Sequence, residues 1–128
     1  MSYGKYTELE INRYKEEIDF KIKNATNEKL IYNDKYEINI YSYDLVCKEE
    51  SFNFGIDIYI ETTVNMRYEI FDKSNNLILR SNLRISDEDC YGVGYSHNPF
   101  DNSLTIKEAI LRELDYVDIS DNLDEGEV

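Results

Sequence analysis

The stretch Phe52-Asn53-Phe54-Gly55-Ile56-Asp57-Ile58-Tyr59-Ile60-Glu61-Thr62-Thr63-Val64-Asn65-Met66-Arg67-Tyr68-Glu69-Ile70-Phe71 decides the fold class. Successive side chains of an extended chain point to opposite faces, so Phe54, Ile56, Ile58 and Ile60 share one face and Asp57, Tyr59 and Glu61 the other. Val64, Met66, Tyr68 and Ile70 continue the first face, so either one strand runs on or the chain folds at Glu61-Thr62-Thr63. The polar segment Asp72 to Asn76 follows, and then Leu77, Leu79, Ser81, Leu83 and Ile85 alternate against Ile78, Arg80, Asn82 and Arg84. Two alternating runs about such a short polar loop predict an antiparallel hairpin.

Working toward the N-terminus, Cys47-Lys48-Glu49-Glu50-Ser51 interrupts the pattern with charge, and Tyr36, Ile38 and Ile40 alternate with Glu37, Asn39 and Tyr41 as a half-buried strand. Asn24 to Glu28 is rich in turn formers. Before it, Thr7-Glu8-Leu9-Glu10 has the form of a capping box, and Ile11, Tyr14, Ile18, Ile22 and Ala25 make a stripe at spacings of three and four. Glu17 with Lys21 and Asp19 with Lys23 add favourable i,i+4 pairs, and the spacing predicts a helix over 8–23. The alternation Ile18-Asp19-Phe20-Lys21-Ile22-Lys23 also reads as a strand.

Toward the C-terminus, residues 87–101 have no period and contain Gly92, Gly94, Asn98 and Pro99, which predicts a long loop. Thr105-Ile106-Lys107-Glu108 forms a second capping-box pattern, and Ile106, Ala109, Ile110, Leu114 and Val117 predict a helix over 106–117. The strands follow one another without intervening helices, which favours hairpins over parallel crossovers. The expected fold is α+β: an N-terminal helix, an antiparallel sheet of four to five strands, and a C-terminal helix packed on one face. The 128 residues suit one domain, 1–121, with an acidic frayed tail over 122–128.

Charge narrows the function classes. The chain carries 27 Asp and Glu against 14 Lys and Arg, a net charge of −13. Residues 1–48 hold 8 basic and 9 acidic side chains, residues 49–128 hold 6 and 18, and from Ile85 onward the count is 2 against 12. An acidic surface repels nucleic acid and anionic membrane alike, so direct binding to either is not expected. No apolar run reaches the roughly 18 residues of a membrane span, and Met1-Ser2-Tyr3-Gly4-Lys5-Tyr6 lacks the pattern of a signal peptide, so the expected compartment is the cytoplasm. There Cys47 and Cys90 are expected as free thiols, and the sequon Asn24-Ala25-Thr26 carries no meaning.

The aperiodic loop gathers the chemistry-bearing residues. Cys90 and His97 would form a nucleophile pair only if they met in space with a third orienting group. Asp87, Asp89, Cys90 and His97 mix hard and soft ligands and match neither zinc-finger nor EF-hand spacing, leaving only a weak carboxylate site for a divalent ion. Gly92-Val93-Gly94 is too short for a dinucleotide fingerprint and reads as a turn. No catalytic, cofactor-binding or metal-binding residue and no cofactor is assigned.

The reading that absorbs the charge is a binding protein. Asn (13), Ile (15) and Tyr (12) are abundant and Ala (2) is scarce, the bias of a low-GC bacterium, its phage or its plasmids. In size, acidity and composition the chain resembles phage anti-defence proteins of the anti-CRISPR and anti-restriction type, which act as DNA mimics. That resemblance implies an inhibitor of a basic nucleic-acid-binding protein such as an effector nuclease. The expected docking residues are Asp87, Glu88, Asp89, Asp101, Glu113, Asp115, Asp118 and Asp121, with Tyr91 and Tyr95 supplying interface area. Two alternatives remain open: an immunity protein or antitoxin that neutralises a basic toxin by the same complementarity, and a small enzyme using Cys90 and His97.

Overall fold

A computed structural model describes residues 6–52, 54–55, 57–87 and 98–117. The helix α1 (Glu8–Thr26) starts at the expected capping box. The Thr7 hydroxyl accepts the Glu10 N–H at 3.1 Å, and the Glu10 carboxylate accepts the Thr7 N–H at 3.1 Å, which satisfies two otherwise orphaned donors. The strand alternative over 18–23 does not form. Helical spacing brings Ile18, Ile22 and Ala25 to the core together and leaves Phe20 67 % exposed on the far side. The Asp19–Lys23 pair, at 2.9 Å, braces the same turn. Because Ala25 enters the core, α1 runs three residues beyond the expected end.

Four strands form one antiparallel meander: β1 (Leu30–Tyr32), β2 (Tyr36–Phe52), β3 (Asp57–Phe71) and β4 (Leu77–Ser86), in the order β1-β2-β3-β4. The short β1 is a strand that the alternation in the sequence does not predict. Its turn to β2 uses Asn33 and Asp34 at φ 53° and 57°, two residue types that tolerate the left-handed region. β3 does not fold at Glu61-Thr62-Thr63. Thr62, Val64, Met66, Tyr68 and Ile70 are all buried on one face, and the chain reverses instead around Phe54 and Gly55, both at positive φ. The loop between β3 and β4 is tied by Asp72, whose carboxylate accepts the Ser74 and Asn76 N–H groups at 2.9 Å each.

The charges at 48–50 do not end β2. Its ladder with β3 continues through Lys48↔Glu61, Glu49↔Ile60 and Glu50↔Tyr59 to Phe52↔Asp57. Lys48 pairs with Glu50 at 3.1 Å, and Glu49 accepts the Tyr6 N–H at 2.6 Å. A β-bulge between Ile40 and Ser42 breaks the alternation of the strand. An extra residue flips the parity of everything after it. Ile38 and Ile40 oppose Ile70 and Tyr68 before the bulge, whereas Tyr43 and Leu45 oppose Met66 and Val64 after it.

The second helix, α2 (Ser103–Leu114), begins and ends three residues earlier than expected. Asn102, rather than Thr105, is the N-cap: its side chain accepts the Thr105 N–H at 2.9 Å, and the Thr105 hydroxyl accepts the Asn102 N–H at 3.0 Å. Asn in that position satisfies the first-turn donors as well as Thr would, and the earlier start keeps Ile106, Ala109, Ile110 and Leu114 buried. Asn102→Ala is expected to cost about 1 kcal/mol in a urea titration, while Glu108→Ala, whose residue caps nothing, should stay within about 0.5 kcal/mol.

Both helices cover the same sheet face: α1 packs on β2, α2 on β4, and the two pack on each other. The core joins Ile18, Ile22 and Ala25 of α1 with Ile106, Ala109, Ile110 and Leu114 of α2 over Ile38, Val64, Met66, Tyr68, Ile70, Leu83 and Ile85. The opposite sheet face mixes polar side chains with the apolar Ile31, Val46 and Phe71. There Arg80 pairs with Glu69 at 2.6 Å, Asn39 donates to Glu69 at 3.3 Å, and Arg67 reaches both Asp44 and Ser42.

Candidate functional site

The structure separates the acidic residues that the sequence groups together. Asp87 follows β4 directly, and its Oδ2 accepts the backbone N–H of Thr62 at 3.0 Å. The last β3–β4 pair is Thr63↔Ser86, so this carboxylate stands where the next rung of the ladder would be. Thr62 is fully buried, and without an acceptor its N–H would bear the desolvation cost alone. Asp87→Ala is expected to destabilise the fold by about 1–3 kcal/mol and Asp87→Asn, which keeps a side-chain carbonyl acceptor, by less, as read from chemical denaturation.

Asp101 is exposed just ahead of the α2 cap, Glu113 is half-buried, and Asp115 is exposed at the α2 C-cap. Glu88, Asp89, Tyr91, Tyr95, Asp118 and Asp121 lie outside the described residues, as do Cys90 and His97. Around Asp115 the geometry is concave. Glu108, Leu111, Arg112 and Asp115, on one stripe of α2, face Ile31, Tyr32 and Asn33 of the first hairpin across a groove of about 340 Å³. The Tyr32 hydroxyl donates to Asp115 Oδ1 at 2.8 Å; burial and that bond push the phenol above its usual range.

A second groove, of about 550 Å³, is one that the sequence reading missed. Asn12, Lys15, Glu16 and Asp19 of α1 form one wall, and Tyr43, Asp44 and Leu45 of β2 the other. The spacing 12, 15, 16, 19 is a helical stripe, and its polarity was a signal of solvent contact rather than of a site. Within this groove the Tyr43 hydroxyl donates to Asp19, which also meets Lys23. The Tyr43 bond is the main reason the Asp19 carboxyl titrates below its ordinary value, and burial followed by the same carboxylate pushes the Tyr43 phenol well up. A depressed carboxyl stabilises the fold above its unfolded pKa of about 3.9, and that contribution is lost as pH falls through the folded value. Tyr43→Phe is therefore expected to lose less stability than the parent between about pH 6 and about pH 3 in parallel urea titrations.

No family model, curated protein or solved structure matches this chain. Chemistry must be read from the groups themselves. Among the described residues, no three His, Cys, Asp or Glu side chains converge as a metal-ligand set, and no helix is long and apolar enough to cross a membrane. Cys47 is a half-buried free thiol near the Thr62 hydroxyl; burial pushes its pKa up, opposite to what an attacking thiolate needs. What the described surface offers is charge. Arg67 and Arg80, two basic residues of the acidic half, are spent on carboxylates of the open sheet face, while Asp101, Glu108 and Asp115 along α2 face solvent.

Proposed function

We propose that this chain is a small non-enzymatic inhibitor that occupies the cationic nucleic-acid-binding site of another protein. It would act as a DNA mimic in the cytoplasm, in the service of a phage or mobile element against a defence nuclease. The observation that carries the reading is the pair of outward carboxylates Glu108 and Asp115 along α2, with Arg112 between them. Glu108 and Asp115 are exposed seven residues apart on one stripe. Seven residues of helix advance about 10 Å, close to three nucleotide steps of roughly 3.4 Å along one DNA strand. A groove built to neutralise regularly spaced phosphates would meet a comparable field here, and steered association would follow from it.

The test is capture followed by competition. Bead-coupled protein should retain from a bacterial extract a basic nucleic-acid-binding protein that duplex DNA competes away. Its affinity should fall by about tenfold or more between roughly 50 and 200 mM salt, as for several neutralised charges. A captured partner that keeps its DNA while bound, or a complex indifferent to salt, would overturn the proposal.

A further inference from the structure

We infer that the open face of the sheet docks a second copy of this chain, in a twofold dimer centred on Val46 and Thr63. The dimer does not depend on the proposed cationic partner, because both helices lie across the sheet from this face and α2 stays free. Charge selects the occupant. A chain of net charge −13 repels its own copies, and the helical side, with Glu16, Glu108 and Asp115 exposed, does so most directly. The open face differs. Lys29 pairs with Glu37 at 3.3 Å, Lys48 with Glu50 at 3.1 Å, Arg80 with Glu69 at 2.6 Å, and Arg67 with Asp44. These pairs leave the face close to neutral, so a copy can approach here without the repulsion met elsewhere. Neither a nucleic acid nor a cationic protein finds a net charge on it to favour binding.

Two charges of this face, among the described residues, are left without a partner: Arg84 and Glu61. They have opposite signs, and their places make them reciprocal. Arg84 lies opposite Asn65, two residues beyond Thr63 on β3, and Glu61 lies two residues before Thr63. A twofold axis in the plane of the face, crossing the strands at Thr63, carries Arg84 of each copy over Glu61 of the other. The sideways offset is about one strand spacing, roughly 5 Å, and facing sheets stand about 10 Å apart. An Arg and a Glu side chain span that gap together. The same axis passes Val46, the cross-strand neighbour of Thr63, and lays it against its own copy. Val46 is apolar and 48 % exposed. The result is an apolar centre flanked by two ion pairs, the arrangement of a specific interface.

The area is sufficient. β3 is 15 residues long, and about 45 Å of it with β2 and β4 alongside offers roughly 600 Å² per copy. A total of about 1,200 Å² is the lower end of specific interfaces and suits a dimer that forms at about 10–100 μM.

Sedimentation equilibrium of the full chain at about 150 mM salt, where repulsion between distant charges is largely screened, should give twice the monomer mass at about 100 μM. Val46→Glu brings two carboxylates together on the axis and should weaken the dimer at least about tenfold. Arg84→Glu and Glu61→Arg, each alone, should do the same. An equimolar mixture of these two variants should dimerise again, because a mixed dimer regains both opposite-charge contacts. Thermal melting at about the parental midpoint shows that each loss is one of association. A parent that stays monomeric at about 500 μM would overturn the inference. So would a dimer untouched by Val46→Glu, as one joined through the β4 edge would be, or a mixture of the two charge-reversed variants that stays monomeric. Capture of a cationic partner by α2 is read separately, so either reading can fail without the other.

Discussion

A chain carrying Asp101→Lys, Glu108→Lys and Asp115→Lys together is expected to fold as the parent does and to bind its cationic partner at least about a hundredfold more weakly, roughly 2.7 kcal/mol. All three positions are exposed, so folding has little at stake. Asp115 gives up its bond to the Tyr32 hydroxyl, but a lysine at the α2 C-terminus is favoured by the helix dipole, while one at Asp101 is disfavoured by a similar small amount. Taken singly, each charge should matter by about 0–1 kcal/mol, as surface pairs do. Reversed together they change the sign of the face that steers and registers the partner. Thermal melting and a binding titration at about 50 mM salt check both halves of the expectation. A triple variant that melts normally and binds with parental affinity would place the docking face away from α2.

The second large effect is structural. Ile110→Ala is expected to cost about 2–5 kcal/mol, because Ile110 is fully buried in the cluster shared by both helices and the sheet, and truncation leaves a cavity that close-packed neighbours fill only in part. Against a total stability of about 5–15 kcal/mol, that loss is a large fraction. Leu104→Ala, on the same helix but 65 % exposed, should change stability by less than about 0.5 kcal/mol. Urea unfolding of the two variants beside the parent gives the comparison. A similar cost at both positions would mean that α2 does not present the face described above.

The same contrast of buried and exposed positions shows where sequence alone sufficed. Thr7 and Glu10 sit three apart, Ile18 and Ile22 four apart, and Val64 to Ile70 alternate, so capping, helical stripe and strand follow from local spacing. The polar loop at 72–76 and the lack of helices between strands likewise settle the antiparallel order. The concentration of acid after residue 85 needs nothing but counting.

Tertiary structure decided the rest. Ile18 to Lys23 satisfies two periods at once, and only the joint burial of Ile18, Ile22 and Ala25 against the sheet selects the helix. β2 continues through Lys48, Glu49 and Glu50 because β3 supplies its hydrogen bonds and Tyr6, distant in sequence, donates to Glu49. The bulge at Ile40/Ser42 reverses which residues face inward, a change no local pattern announces. The acids divide in the same way: Asp87 completes the ladder at Thr62, Glu113 is half-buried, and Asp101, Glu108 and Asp115 remain in water. A carboxylate's role depends on which backbone donors and which solvent reach it, and those neighbours come from residues far away along the chain.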